Sequence, residues 1–277
     1  MPPPRIQWVA GARGGLPKLR ALTPTTNVIG LPRLEIAYLR LFNNQYRHVS
    51  FVKGAWREFG SVSMLRSAAE ILREYGPFPD VDQVHGVTFD GQHVWFAAGD
   101  RLNAIDPESG KTVRSIDVNA HAGTAFDGQH LFQIAEDRIQ KIDPKTGKVL
   151  GTIPAPGGGS GLAWAEGTLW VGHNRDRKIH QIDPETGAVL RTIESNRFVT
   201  GVTWVDGELW HGTSENGESD VRRIDPRTGD VLEQLEMPAG AGVSGLESDG
   251  GDLFFCGGGR SGKVRAVRRP KRSSTKG

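Results

Sequence analysis

Four histidines stand where a short apolar run begins or ends: His85, His121, His173 and His211. Imidazole titrates near physiological pH and ligates divalent metals, so such positions suit acid–base work or metal binding. Ser160, Thr200 and Ser244 begin further apolar runs, and Glu136, Asn174, Asp176, Glu215 and Asn216 lie in the turns between them. His173 and His211 follow Leu-Trp pairs by three residues and by one, which gives them the same strand parity. We take His85, His173, His211 and Glu215 as candidate catalytic or metal-ligating groups. His121, Glu136, Ser160, Asn174, Asp176, Thr200, Asn216 and Ser244 are candidate ligand-binding groups. His93 and His130 sit in hairpin turns and are expected in solvent, and His180 is expected on an outward strand face. The single cysteine, Cys256, excludes an intrachain disulfide and a cysteine metal cage. The run Gly157–Gly161 does not open a helix after a strand, so it is not a nucleotide loop.

A repeat positions these residues. Ile-Asp-Pro-x-Ser/Thr-Gly occurs four times, with its aspartates at Asp106, Asp143, Asp183 and Asp225. In step with it, Val94-Trp95, Leu131-Phe132, Leu169-Trp170, Leu209-Trp210 and Leu253-Phe254 each follow a turn of the Asp-Gly, Glu-Gly or Gly-Gly kind. Such dipeptides supply the positive φ of a tight hairpin, and Pro with Gly shapes the second turn. The third unit reads as strands Ser160–Ala165, Thr168–His173, Lys178–Ile182 and Ala188–Ile193. Four antiparallel strands every 40 residues or so make the blade of a β-propeller. The expected fold is all-β: a five-bladed propeller over residues 81–269. The aromatics recurring at equivalent positions, Trp170 among them, are expected to pack between blades.

The D–A and B–C loops differ from blade to blade, and variable loops on a fixed scaffold are where binding groups belong. That face is the expected binding surface for a small molecule or peptide. The fifth unit lacks a clear fourth strand, and Ile6–Val9 or Tyr46–Val52 could supply it and close the ring.

Residues 1–80 carry no blade motif. Their apolar stripe of Leu65, Ala68, Ala69 and Leu72 predicts a helix over about 61–75, and a second helix fits Arg33–Phe42. The segment before Met64 reads either as an upstream extension or as a cap or closing strand. Both ends of the chain are basic and the middle is acidic. The tail, 270–277, has no aromatic residue for base stacking, so a nucleic-acid partner is not expected. No run approaches the 18 or so apolar residues of a membrane span, and no leader-like apolar segment opens the sequence, which predicts a cytoplasmic location.

With the Asp-Pro-x-Thr-Gly turns and Leu-Trp strands set out, the sequence resembles the quinoprotein and YVTN-type propeller superfamily over residues 81–268. Among its members it is most similar to the five-bladed glutaminyl-peptide cyclotransferases. That family's first blade resembles Val84-His85-Gly86-Val87 and Phe96-Ala97-Ala98-Gly99 here. The resemblance places His85 at the family's glutamine and Phe96 at its catalytic glutamate. A weaker likeness, through Leu169-Trp170-Val171-Gly172-His173 and Leu209-Trp210-His211-Gly212, is to the virginiamycin-B-lyase-like group, which implies a histidine and glutamate site around a divalent metal. Three functions therefore stand open: a cyclotransferase-like enzyme with altered first-blade chemistry, a non-catalytic peptide- or protein-binding propeller, and a metal-dependent lyase or lactonase.

Overall fold

The computed structural model of the protein describes residues 36–40, 46–52, 55–62, 64–155 and 157–271. Strands β1 (Ile36–Arg40), β2 (Tyr46–Val52) and β3 (Ala55–Val62) form a three-stranded sheet in that order. The helix expected over Arg33–Phe42 is thus a strand where it is described. Tyr46–Val52 is a strand, but it pairs inside this sheet and does not close the ring. Ile6–Val9 and nearly all of the basic tail lie outside the described residues.

The rest is five blades, each four strands deep. The first is β6 (Val87–Phe89), β7 (Val94–Ala97), β8 (Gly99–Ile105) and β9 (Thr112–Ala120). The second is β10 (Thr124–Phe126), β11 (Leu131–Ala135), β12 (Arg138–Ile142) and β13 (Val149–Pro154). The third is β14 (Gly159–Ala165), β15 (Thr168–His173), β16 (Lys178–Ile182) and β17 (Val189–Glu194). The fourth is β18 (Val199–Val205), β19 (Glu208–Glu215), β20 (Glu218–Ile224) and β21 (Val231–Glu236). The fifth contributes β22 (Gly245–Ser248), β23 (Leu253–Gly257) and β24 (Val264–Arg268).

Its fourth strand comes from the other end of the propeller sequence. Strand β5 (Ile71–Tyr75) pairs antiparallel with β24, and β4 (Leu65–Ala68) lies parallel on β21. These two strands replace the helix expected over 61–75. The reason is visible in the burial. Of the supposed apolar stripe only Ala69 reaches the core, while Leu65 is 56% and Leu72 42% exposed. What the segment meets is the bare edge of β24, and an unpaired edge is satisfied by a strand. Glu74 then accepts from Lys263 Nζ and Arg265 Nε, both at 2.7 Å, across the β5–β24 seam.

Two layers of contact hold the ring. At the rim, the glycine of each Asp-Pro turn packs on the last strand of the preceding blade: Gly147 on Ile116 and Gly229 on Ile193. Gly110 of the first blade packs on Tyr75, which therefore occupies the corresponding place in the fifth blade. At the axis, Gly86, Gly123, Gly161, Gly201 and Gly245 sit at one level, one per blade. A Cβ on any of them would come within 2.8 Å of the next blade's backbone, and Gly245 abuts Gly86 to complete the circle. Between these layers the recurring aromatics stack: buried Phe132 on half-buried Trp164 at 5.3 Å, and buried Trp170 on half-buried Trp204 at 5.4 Å.

Candidate functional site

The inner strands align on their glycines, which makes Thr88, Ala125, Ala163, Thr203 and Glu247 equivalent, each two residues further on. Four of these side chains are small. The fifth is a carboxylate at the ring centre. Glu247 accepts from Thr88 Oγ1 at 3.0 Å in the first blade, from Thr203 Oγ1 in the fourth, and from the Ser248 amide at 2.9 Å. It is half-buried. Loss of hydration pushes its pKa up to about 7, against the pull of the three donors. The sequence reading did not select Glu247. The available signal was a lone charge at a position where the other blades place Thr or Ala.

At the loop face, His85 is half-buried at the start of the first blade's inner strand. Its ring centre lies 6.5 Å from that of His121, which is exposed. Burial first, and the His121 ring second, lower the pKa of His85, so its imidazole is neutral at pH 7. It opens onto a pocket of about 360 Å³ also lined by Asp80, Asp82, Gln83, Gly99, Asp100 and Arg101. These residues are the loop entering blade one and its B–C turn, so the pocket lies on the loop class expected to bind. Asp100 is held by Arg101 in a two-point pair at 3.0 and 3.2 Å, leaving Asp80 and Asp82 to set the local charge.

The other candidates scatter. Strand parity is shared by His173 and His211, but it turns each toward the preceding blade. Leu169 and Val171, the parity mates of His173, pack with blade two, whereas Leu209, the mate of His211, packs with blade three. The two histidines thus occupy different inter-blade gaps. His211 is 1% exposed, its Nδ1 lies 3.2 Å from the Gly212 carbonyl, and desolvation lowers its pKa to about 4. His173 is equally buried, and its ring nitrogens have no hydrogen-bond partner of good geometry, only the Gly157 backbone nearby. Ser160 donates to the Gly172 and Val199 carbonyls, Asn174 to Val199, and Ser244 to Val84 and His85, so all three lace neighbouring strands together. Glu215 is paired with Arg177 at 2.5 Å and Arg197 at 3.8 Å. Thr200 is buried with its hydroxyl unpartnered. Glu136, Asp176 and Asn216 are exposed in B–C turns. His93 and His130 are half-buried rather than free in solvent, each beside the aspartate of its own turn. Among the described residues, no three His, Cys, Asp or Glu side chains already converge as a metal cage.

Residues 135–271, just under half of the chain, match the family model described as outer membrane protein assembly factor BamB. The fold is similar to the crystal structure of Myxococcus xanthus glutaminyl cyclase, with a TM-score of 0.64 and 20% identity over 74% of this chain and 98% of that one. The chain is a five-bladed β-propeller. This propeller also aligns with Kuenenia stuttgartiensis hydrazine synthase, at a TM-score of 0.43 and 18% identity over 70% of this chain and 60% of that one. A third alignment is to U3-55K, at 0.46 and 12% over 73% and 98%. No curated protein matches the sequence significantly. At these identities the likeness is one of fold. Phe96, at the position where the resemblance to glutaminyl cyclases implies a carboxylate, is fully buried and stacked on Phe78 at 4.6 Å. In this propeller, then, that position belongs to the packing between blades. Among the described residues, no helix is long and apolar enough to cross a membrane.

Proposed function

We propose that this propeller binds a small molecule or peptide bearing a cationic amine at the mouth of blade one. One observation carries the reading: a neutral, half-buried His85 opens onto a pocket where Asp80 and Asp82 supply negative charge and Asp100 is paired with Arg101. Carboxylates at a concave site favour an ammonium group, and their attraction is strengthened where water is partly excluded. The likeness to glutaminyl cyclase suggests the finer reading, a peptide with an N-terminal glutamine. Cyclisation would join the α-nitrogen to the side-chain amide carbon and release ammonia. The bound α-ammonium gives up two protons, one to become the nucleophile and one on attack; His85 relays one to the departing amide nitrogen and the ammonia so released takes up the other, so the protons balance. His85 takes this work because Phe96 cannot.

The test is ammonia release from a peptide with N-terminal glutamine, alongside calorimetric binding of the same peptide. Loss of turnover in His85→Ala with binding retained supports the enzyme. Binding without turnover in the wild type supports a non-catalytic peptide-binding propeller. Absence of both, at millimolar peptide, removes the reading.

A further inference from the structure

We propose that His173 and His180 form a binding site for a divalent transition-metal ion, with copper(II) or nickel(II) favoured. His173 ends the second strand of blade three, and His180 lies on the third strand opposite Val171. His173 faces Lys178 across the same pair of strands, so the two imidazoles are diagonal neighbours on one face of the blade. Their ring centres are 4.6 Å apart.

Three features suit them to a metal. First, His173 is 1% exposed and neither ring nitrogen has a hydrogen-bond partner of good geometry, only the Gly157 backbone nearby, so the buried imidazole is poorly satisfied. A ligand that takes one of those nitrogens removes part of that deficit. Second, His180 Nδ1 lies 2.8 Å from Thr192 Oγ1. Such an outer contact fixes the orientation of a ligating imidazole and leaves its Nε2 as the free donor. Third, imidazoles bound side by side to one ion through bonds of about 2.0–2.1 Å keep their ring centres roughly 4.5–5 Å apart, and the shorter spacing belongs to a right-angled pair. Right-angled nitrogen ligands are the geometry of copper(II) and nickel(II) rather than of tetrahedral zinc.

The charged surroundings are mixed. Asp176, in the exposed turn between the two strands, acts on both imidazoles, and Glu194 acts on His180. Lys178 opposes them but is itself paired with Glu194 at 3.7 Å. Burial keeps both rings neutral at pH 7, as a metal ligand must be. The Asp176 charge favours a bound cation, and water completes the coordination. The site is independent of the pocket at His85.

Copper(II) and nickel(II) titrations of the full chain, followed by calorimetry and by electron paramagnetic resonance for copper, test this. We expect one site per chain, with hyperfine structure from two nitrogens. It should weaken at least tenfold in His180→Gln and several-fold in Asp176→Asn. His180 is half-exposed, so its variant keeps the test valid even where His173→Ala fails to fold. A site of unchanged affinity in His180→Gln, or no stoichiometric site in the wild type, overturns the proposal.

Discussion

Thr88 Oγ1 donates to Glu247 Oε2 at 3.0 Å across the joint between the first and last blades. The same carboxylate receives Thr203 from the blade on its other side, so one side chain ties three blades at the axis. This arrangement has a cost that depends on pH. The folded-state pKa of about 7 stands above the ordinary carboxylate value of 4.5. Below pH 4.5 the group is protonated in both states and costs nothing. As pH rises toward 7 the unfolded chain releases the proton and the folded chain holds it, so stability falls. Above 7 the loss is complete. Glu247→Gln keeps the shape and one amide oxygen as acceptor while removing the charge. It should raise the melting temperature at pH 8 and leave it nearly unchanged at pH 4.5. Thermal unfolding of both proteins from pH 4.5 to 8 checks this, and a larger benefit at the acidic end would show that burial does not raise the carboxyl's pKa as described.

Gly201 tests the close approach at the axis. A Cβ there would meet the Leu246 amide and the Gly245 carbonyl carbon, which are backbone atoms and cannot rotate away. Gly201→Ala should lower stability by about 1–3 kcal/mol, the usual range for overpacking. Gly151, in β13, has open space around the equivalent atom, so Gly151→Ala should be neutral or slightly stabilising. Urea midpoints for the pair decide the matter; equal losses in both would mean that the blades stand further apart at the axis.

Ring closure predicts a third effect. Tyr75 seats its ring on Gly110 and donates through its hydroxyl to the Pro107 carbonyl at 2.9 Å. Arg73 donates to the Pro107 and Glu108 carbonyls at 3.1 and 2.6 Å, much as Arg191 does to Pro226 at 3.2 Å between blades three and four. Tyr75→Phe should cost about 1 kcal/mol for the lost hydrogen bond. Tyr75→Ala should cost about 3–5 kcal/mol, as for other large buried aromatics. Chemical denaturation supplies both values. A neutral Tyr75→Ala would mean that β5 does not close the ring.

The strands of blade three could be read from the sequence almost residue by residue, because Glu166-Gly167 and Asp183-Pro184 mark the turns and alternation fills the strands between them. The closing strand could not. Ile71–Tyr75 has no turn signal of its own, and its partner lies some 190 residues away, as the Glu74–Arg265 contact shows. A short stretch with apolar residues three and four apart reads equally well as a helix until that distant edge is known. The loop face was legible as a class of loops, yet Asp80, Asp82 and Asp100 carry no motif, and only the fold brings them to His85. Parity correctly related His173 to His211 but could not tell that each turns into a separate gap.

His85 and His121 make the last prediction. Burial, and behind it the neighbouring imidazole of His121, keep the pKa of His85 below the ordinary 6.5. In the proposed role of proton acceptor His85 must be neutral, so turnover of an amine-bearing substrate should fall on the acid side as pH drops through that lowered value. His121→Ala removes one of the two causes. The pKa of His85 should then rise, and the acid limb of the pH–rate profile should move to higher pH with little change in the plateau. His121 is exposed, so this substitution leaves the core intact. A profile measured from pH 5 to 8 for both proteins gives the answer. An acid limb that stays in place, or moves to lower pH, would mean that the titrating group is not His85.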